Sequence, residues 1–262
     1  YYEPVIDTLR AYPGRDRVIS LWKEGHERGI FHPQFHGREH VNVERWMNAL
    51  RIQTPEIMFT FSHNTTFSGE EDYNFMEVLD FTSRDEIAGM KESLNEGLLL
   101  FEEIFGYRSK SFIPPCYAWD SELEGVLYSN GIRYLQGLIV QLVPKGSFGD
   151  YKRRYHFLGG RSTSGLTYHI RNCFFEPALS GQSDIVGDCL KKIDIAFAWR
   201  KPAIICSHRI NYMGELDPDN RKVNLRLLDE LLRRILKRWP DVEFMTSDKL
   251  GDLITIGEIV EN

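Results

Sequence analysis

The sequence predicts an α/β protein in which helices cover a parallel sheet. Short apolar runs typical of strands alternate with amphipathic helical patterns, and no internal repeat interrupts them. The length of 262 residues suits one large domain of the size common among α/β barrels. An open doubly wound sheet and a barrel both fit this alternation, and the number of strands favours the barrel. We therefore treat residues 1–262 as one domain.

The first third of the chain is predicted to be mainly helical. Apolar residues at helical spacing predict helices over 1–12, 16–27 and 42–52. The apolar residues of 30–35 predict a strand before the third helix, and 58–61 predicts a shorter strand.

A long amphipathic helix is predicted in the middle of the chain, over 84–105. Its apolar residues share one face: Ile87, Met90, Leu94, Leu98, Phe101 and Phe105. A shorter helix is predicted over 121–129. Strands are predicted over 111–113, 132–137 and 168–171. The stretch 144–165 is basic and contains several glycines, and we interpret it as a solvated excursion from the sheet.

The last third repeats the alternation of helix and strand. Amphipathic patterns predict helices over 185–199 and 220–239, and a short helix from Ser247. Apolar runs predict strands over 203–206 and 242–245.

Charge and cysteine content restrict the functions open to this chain. The formal net charge of −6 and the pI near 5.8 argue against a nucleic-acid surface, which needs a basic field. No run of about 18 apolar residues predicts a membrane span, and no leader pattern is visible. The four cysteines are widely spaced and predict free thiols in a reducing compartment, so we expect a cytoplasmic protein.

Three histidines, His32, His36 and His40, mark the predicted junction between the strand at 30–35 and the next helix. Residues four apart lie above one another on a helix, so His36 and His40 on a first helical turn could bind one divalent cation. The alternative is that His36 caps or packs and that His40 lies on the surface. The spacing alone leaves both readings open.

Side chains with chemical function follow three predicted strands from distant parts of the chain. The active site of a parallel α/β protein lies at the carboxyl ends of its strands, so these residues should converge. They are His36 and His40 after 30–35, Pro115, Tyr117, Trp119 and Asp120 after 111–113, and His208, Arg209 and Asn211 after 203–206.

An ordered set of three short motifs resembles the metal-dependent polysaccharide deacetylases. The motifs are His36-x-x-x-His40, then Phe112-Ile113-Pro114-Pro115, then Cys206-Ser207-His208. The resemblance implies a distorted seven-stranded β/α barrel and a divalent metal, usually zinc, held by an aspartate and two histidines. Members of that family use the metal to activate water that removes an acetyl group from an amino sugar.

The first motif of that family, which supplies the aspartates, has no counterpart before His36. The chain opens Tyr1-Tyr2-Glu3-Pro4 without a methionine, and we expect a strand before Tyr1 that completes the barrel and delivers an aspartate to the metal. Ile113 stands where the family has an arginine, and Cys206 stands where it has a leucine.

The resemblance also implies roles for the candidate residues. His36 and His40 would bind the metal, and His208 would act as the general acid that protonates the leaving amine. The predicted substrate-binding residues are Pro115, Tyr117, Trp119, Asp120, Arg209 and Asn211. Simpler roles remain open, with Trp119 in the core and Asp120 as the cap of the next helix.

Two functions follow from this interpretation. The first is a metal-dependent hydrolase that removes an acyl group from an N-acylated amino sugar or polysaccharide, so that a carbohydrate is its partner. The alternative is a non-catalytic carbohydrate-binding protein with a degenerate metal site. A glycosidase that uses Glu39 and Asp120 is a weaker interpretation, because nothing in the sequence places those carboxylates ~5 to 9 Å apart.

Overall fold

Helices and short strands alternate through the computed structural model, which describes residues 3–66, 75–180 and 184–257. The helices within these residues are α1 (Val5–Ala11), α2 (Val18–Glu27), α3 (Val43–Ile52), α4 (Pro55–Ser62), α5 (Glu86–Phe105), α6 (Glu124–Ser129), α7 (Pro177–Ser180), α8 (Ile185–Ala198), α9 (Pro218–Arg238) and α10 (Ser247–Thr255). The strands are β1 (Ser111–Phe112), β2 (Tyr134–Gly137), β3 (Val140–Pro144), β4 (Tyr151–Tyr155), β5 (Thr167–Ile170), β6 (Cys173–Phe174) and β7 (Ile205–Cys206). None of the described helices combines enough length with enough apolar character to cross a membrane.

Parallel pairing connects the strands that lie nearest to the candidate residues. β2 lies between β1 and β5 in a three-stranded sheet, and β6 pairs with β7 in a second sheet. Phe35 adds a single parallel bridge to Phe112 at the edge of β1. β3 and β4 form an antiparallel hairpin that overlaps the stretch interpreted above as an excursion. The fold is therefore mixed α/β, with its parallel strands in two separate sheets.

The prediction of a distorted seven-stranded barrel that lacks its first strand is wrong. The described strands form small sheets of three, two and two strands. Two predicted strands, 30–35 and 242–245, form no ladder, and the first contributes only the Phe35 bridge. Where 242–245 was predicted to continue the sheet, β7 borders an apolar cavity of about 760 Å³, which is lined in part by Ile205 and Phe244. A barrel needs hydrogen bonding around its whole circumference, and the described strands do not provide it.

The main hydrophobic core lies between α5 and the three-stranded sheet. Leu94 and Phe101 on the buried face of α5 belong to one cluster with Phe112 and Leu135 of the sheet. The helix ends at Gly106, whose φ of 76° lies in the left-handed region that favours glycine. A second core joins α8 and α9 to β6 and β7. These two cores fix the carboxyl ends of the parallel strands, where most of the candidate residues lie.

Residues 58–61 form part of a helix and not the predicted strand. The side chain of Thr54 accepts a hydrogen bond from the backbone N–H of Ile57 and so caps α4. Pro55 occupies the first turn, where its fixed φ favours a helix. These two start features outweigh the β propensity of the apolar residues that follow.

His169 on β5 is a buried histidine in the sheet. Neither of its ring nitrogens has a hydrogen-bonding partner within the described residues. The ring stacks on Tyr134 with a centroid distance of 5.0 Å. Burial lowers the pKa of His169 to about 4, because the charged ring would lose its hydration. The ring is therefore neutral at pH 7.

We expect His169 to make folding stability fall as the pH falls. Below the ordinary histidine pKa of 6.5, the unfolded chain takes up a proton that folded His169 does not bind until about pH 4. Between pH 6.5 and about pH 5 this difference should cost about 2 kcal/mol of unfolding free energy. Urea unfolding should show that His169→Leu removes this loss, while His63→Leu, at an exposed histidine, keeps it. Equal pH dependence in the wild type and in His169→Leu would contradict the prediction.

Candidate active site

The loop of His36 and His40 lies beside β1 and before α3. The helix begins immediately after Asn42, whose side chain accepts a hydrogen bond from the backbone N–H of Arg45. Gly37 has a φ of 114°, which a helix does not allow. The prediction that both histidines lie on a first helical turn is therefore wrong. The loop nevertheless brings the two ring centroids to 5.0 Å from each other.

One hydrogen bond sets the protonation of the His36 ring. Its Nδ1 lies 2.6 Å from the carbonyl oxygen of Ile113, so Nδ1 carries the proton and donates it, and the lone pair lies on Nε2. The surrounding protein lowers the pKa of His36, and the bond to Ile113 opposes this effect. The positive charges of His40, Arg171 and His208 lower the pKa further. His36 is therefore neutral at pH 7 and has a nitrogen available for a cation.

His40 is the second histidine of the pair proposed from the sequence as cation ligands. Its Nδ1 is buried and has no hydrogen-bonding partner within the described residues. A metal-binding histidine typically donates its other ring N–H to a carbonyl or carboxylate, as His36 does to Ile113. Within 3–66, 75–180 and 184–257, no carboxylate, cysteine or further histidine forms a three-ligand group with this pair at a mutual distance of 4.8 Å. The described chain thus supplies two ligands.

Glu176 holds the ring of His208 from the neighbouring strand. The register of β6 and β7 places Phe174 opposite Cys206, so the residues two positions later, Glu176 and His208, come together. Nδ1 of His208 donates to Oε1 of Glu176 at 2.6 Å, and the His208 backbone N–H donates to Oε2 at 3.2 Å. Asn211 donates to the same Oε2 at 2.7 Å. The carboxylate therefore fixes the tautomer and the orientation of His208 and leaves Nε2 available.

Tyr117 and Arg171 form the third part of the site. Cys116 and Tyr117 have φ values of 53° and 56°, a left-handed conformation that such residues rarely adopt and that concentrates at functional sites. Arg171 donates a hydrogen bond of 2.9 Å to the Tyr117 hydroxyl, which also lies 3.8 Å from Sγ of Cys206. Burial raises the pKa of Tyr117 to about 12, so the phenol keeps its proton at neutral pH.

Glu176, Cys206 and His208 form a second candidate ligand group. Their donor atoms all lie within 4.8 Å of one another. Glu176 and His208 already bind each other, however, and a cation would have to break that bond. Burial raises the pKa of Cys206, so its thiol is protonated and a cation would also have to displace that proton. This group and the pair of His36 and His40 are therefore two separate candidate cation sites.

Two predicted substrate-binding residues instead support the fold around the site. Trp119 is 1% exposed, and its indole N–H donates to Glu124, so it offers no face on which a sugar could stack. Asp120 is buried and accepts a hydrogen bond from the backbone of Glu122. It thereby caps the short helical turn that follows, the simpler of the two roles left open by the sequence.

Pro115, Arg209 and Asn211 take three different positions. Pro115 is buried, and its carbonyl oxygen accepts a hydrogen bond from the backbone N–H of Ala118. Arg209 is exposed on the turn that follows His208. Asn211 is fully buried and contacts Glu176, so it positions the carboxylate.

No protein-family model matches this chain, and no curated protein matches it.

Sequence reasoning missed Glu176 and Arg171. Arg171 directly follows β5, and Glu176 lies two residues after β6, so both obey the strand-exit rule that identified His208. A strand of two residues shows no periodicity, and β6 was therefore not recognised. The pairing of β6 with β7 is what brings Glu176 to the site.

We expect zinc to bind through His36 and His40. His36→Gln should weaken zinc binding at least about tenfold, because the protein loses one of its two imidazole ligands. Cys206→Ser should leave the affinity unchanged, because Cys206 is not a ligand if His36 and His40 hold the metal. Competition with a chromophoric chelator at pH 7 measures the zinc affinity of both variants. His63→Gln is the control for the loss of an exposed histidine. Weaker binding in Cys206→Ser, with normal binding in His36→Gln, would assign the metal to the other cluster.

Proposed function

We propose that the protein is a metal-dependent hydrolase that removes an acyl group from an N-acylated amino sugar or polysaccharide. The observation that carries this proposal is the position of His208. Its ring is held by Glu176 and lies close enough to His36 for its charge to lower the pKa of that histidine. In this proposal the proton donor and the pair of cation ligands serve one site.

His36 and His40 are the residues that would hold the cation. A bound divalent metal would lower the pKa of its water toward ~7 and polarise the amide carbonyl. The chain itself supplies the neutral His36 ring, whose orientation is fixed by Ile113. This rigid orientation favours binding, since the loop does not have to reorganise around the cation.

His208 is suited to act as the general acid. Its Nδ1 donates to Glu176, so a proton on Nε2 can be passed to the leaving amine when the carbon–nitrogen bond breaks. The carboxylate holds the ring in one orientation, as the acidic member of a catalytic triad does. Asn211 keeps the carboxylate in place through its own hydrogen bond to Oε2.

A carbohydrate-binding protein without catalytic activity is the second candidate. It is favoured by the absence, within the described residues, of a third metal ligand beside His36 and His40. Two imidazoles give a weaker site than the three protein ligands typical of catalytic zinc. Zinc-dependent turnover distinguishes the hydrolase from the binding protein.

The glycosidase interpretation has no support from the described residues. Glu39 is paired with Arg38 and accepts a hydrogen bond from Ser93, and Asp120 caps a helical turn. Both carboxylates already have structural roles, so neither is available as an acid or a nucleophile.

Replacement of His208 by alanine should lower kcat for deacetylation by about 10²- to 10⁴-fold, because the leaving amine loses its proton donor. Zinc affinity should stay within a factor of about two, since His208 is not a ligand in this proposal. Glu176→Gln should also lower kcat and should shift the acidic or basic limb of its pH profile, because the carboxylate acts through His208.

The assay is release of acetate from an N-acetylated oligosaccharide by zinc-loaded protein, with His63→Ala as the matched control. Unchanged turnover in His208→Ala would remove His208 from the mechanism. No turnover by the zinc-loaded wild type would overturn the hydrolase proposal in favour of the binding protein.

A further inference from the structure

Arg171 is a half-buried cation that the described chain does not neutralise. Its only side-chain hydrogen bond within the described residues goes to the neutral hydroxyl of Tyr117. By contrast, the half-buried guanidinium of Arg38 contacts the carboxylates of Glu39 and Glu96. Because a charge that loses water needs a partner, the position of Arg171 favours a ligand of opposite charge.

Arg171 brings a fixed positive charge to the site, and this charge acts on the ring of His36. The carboxylate of Glu176 is occupied by hydrogen bonds from His208 and Asn211, and within the described residues it forms no ion pair with Arg171. A ligand therefore meets a guanidinium that stays charged at neutral pH and has, among the described residues, no carboxylate bound to it.

The chemistry of the pair formed by Arg171 and Tyr117 suits an anionic oxygen group. A guanidinium has five N–H donors in a planar fork, and the contact with Tyr117 uses one of them. Tyr117 accepts that hydrogen bond, and its own proton, which faces Sγ of Cys206 at 3.8 Å, can be donated instead to a ligand oxygen, a stronger acceptor than sulfur. Carboxylates and phosphates have two or more oxygens at the spacing that such neighbouring donors match.

We propose that the ligand of this site is an anionic N-acyl amino sugar, whose carboxylate or phosphate binds to Arg171 and Tyr117. The inference depends on the proposed function for the amino-sugar part and adds the negative charge. Neutral amino sugars would leave the guanidinium unpaired when they displace water from it, whereas anionic ones replace that water with a charged hydrogen bond.

Calorimetric titration of the metal-free full chain tests the charge preference without any need for turnover. The three probes are N-acetylglucosamine, which is neutral, N-acetylmuramic acid, which carries a carboxylate, and N-acetylglucosamine 6-phosphate. The wild type should bind at least one anionic sugar about 10- to 100-fold more tightly than the neutral one. Comparison of the two anionic sugars shows whether the carboxylate or the phosphate is recognised.

Arg171→Gln should abolish the preference, and Arg171→Lys should retain part of it, since lysine keeps the charge but not the planar fork. Arg153→Gln removes one positive charge from the exposed face of the β3–β4 hairpin and is the matched control. Equal binding of all three sugars, no detectable binding of any, or a preference that survives in Arg171→Gln would overturn the inference. If the preference depends on Arg171 but the protein shows no zinc-dependent turnover, only the hydrolase proposal is overturned.

Discussion

The carboxylate of Glu176 is the group on which the geometry of the site depends. It accepts hydrogen bonds from the ring and the backbone of His208 and from Asn211, and it lies 3.8 Å from Sγ of Cys206. A carboxylate that is only partly exposed is costly unless its oxygens are bonded, and here both oxygens have donors. The same bonds hold the residues that follow β7 in a fixed arrangement. Without Glu176, His208 would lose both its orientation and its tautomer.

Parallel strand pairing brings the parts of the site together from distant positions in the chain. Phe35 bridges Phe112, which places the loop of His36 beside β1 and allows the bond to Ile113. Arg171 extends the pairing of β5 with β2 by donating its backbone N–H to Gly137. Parallel strands of one sheet end at the same edge. The loops that follow them therefore converge in space even though they are far apart in the sequence.

The strand-exit rule is the part of the sequence reasoning that selected most of the candidate residues. The rings of His36 and His40 lie 5.0 Å apart. Tyr117 accepts a hydrogen bond from Arg171, and His208 donates one to Glu176. The rule failed for Trp119, because an indole that follows a strand can turn equally well into the core, and sequence does not give the direction. It also failed for Glu176, because β6 is too short to show a pattern.

Individual helices were easier to predict than the arrangement of the strands. The length of α5 was predictable because apolar residues recur over 20 residues on one face. Barrel closure was not predictable, because it depends on hydrogen bonds between strands that are far apart in the chain. The helical turn expected for His36 and His40 was wrong for a related reason, although the helix predicted over 42–52 begins where expected. Asn42 is fixed there both as a cap and by its contacts with the carbonyls of Glu77 and Asp80, which come from a later segment.

Anomalous diffraction at the zinc edge, from crystals grown with zinc at neutral pH, tests directly whether His36 and His40 bind the proposed divalent metal. We expect one strong peak ~2.0–2.3 Å from a ring nitrogen of each of these two histidines, with the bond between His208 and Glu176 intact. A peak bound by Glu176, Cys206 and His208, or no ordered zinc at either position, would contradict it.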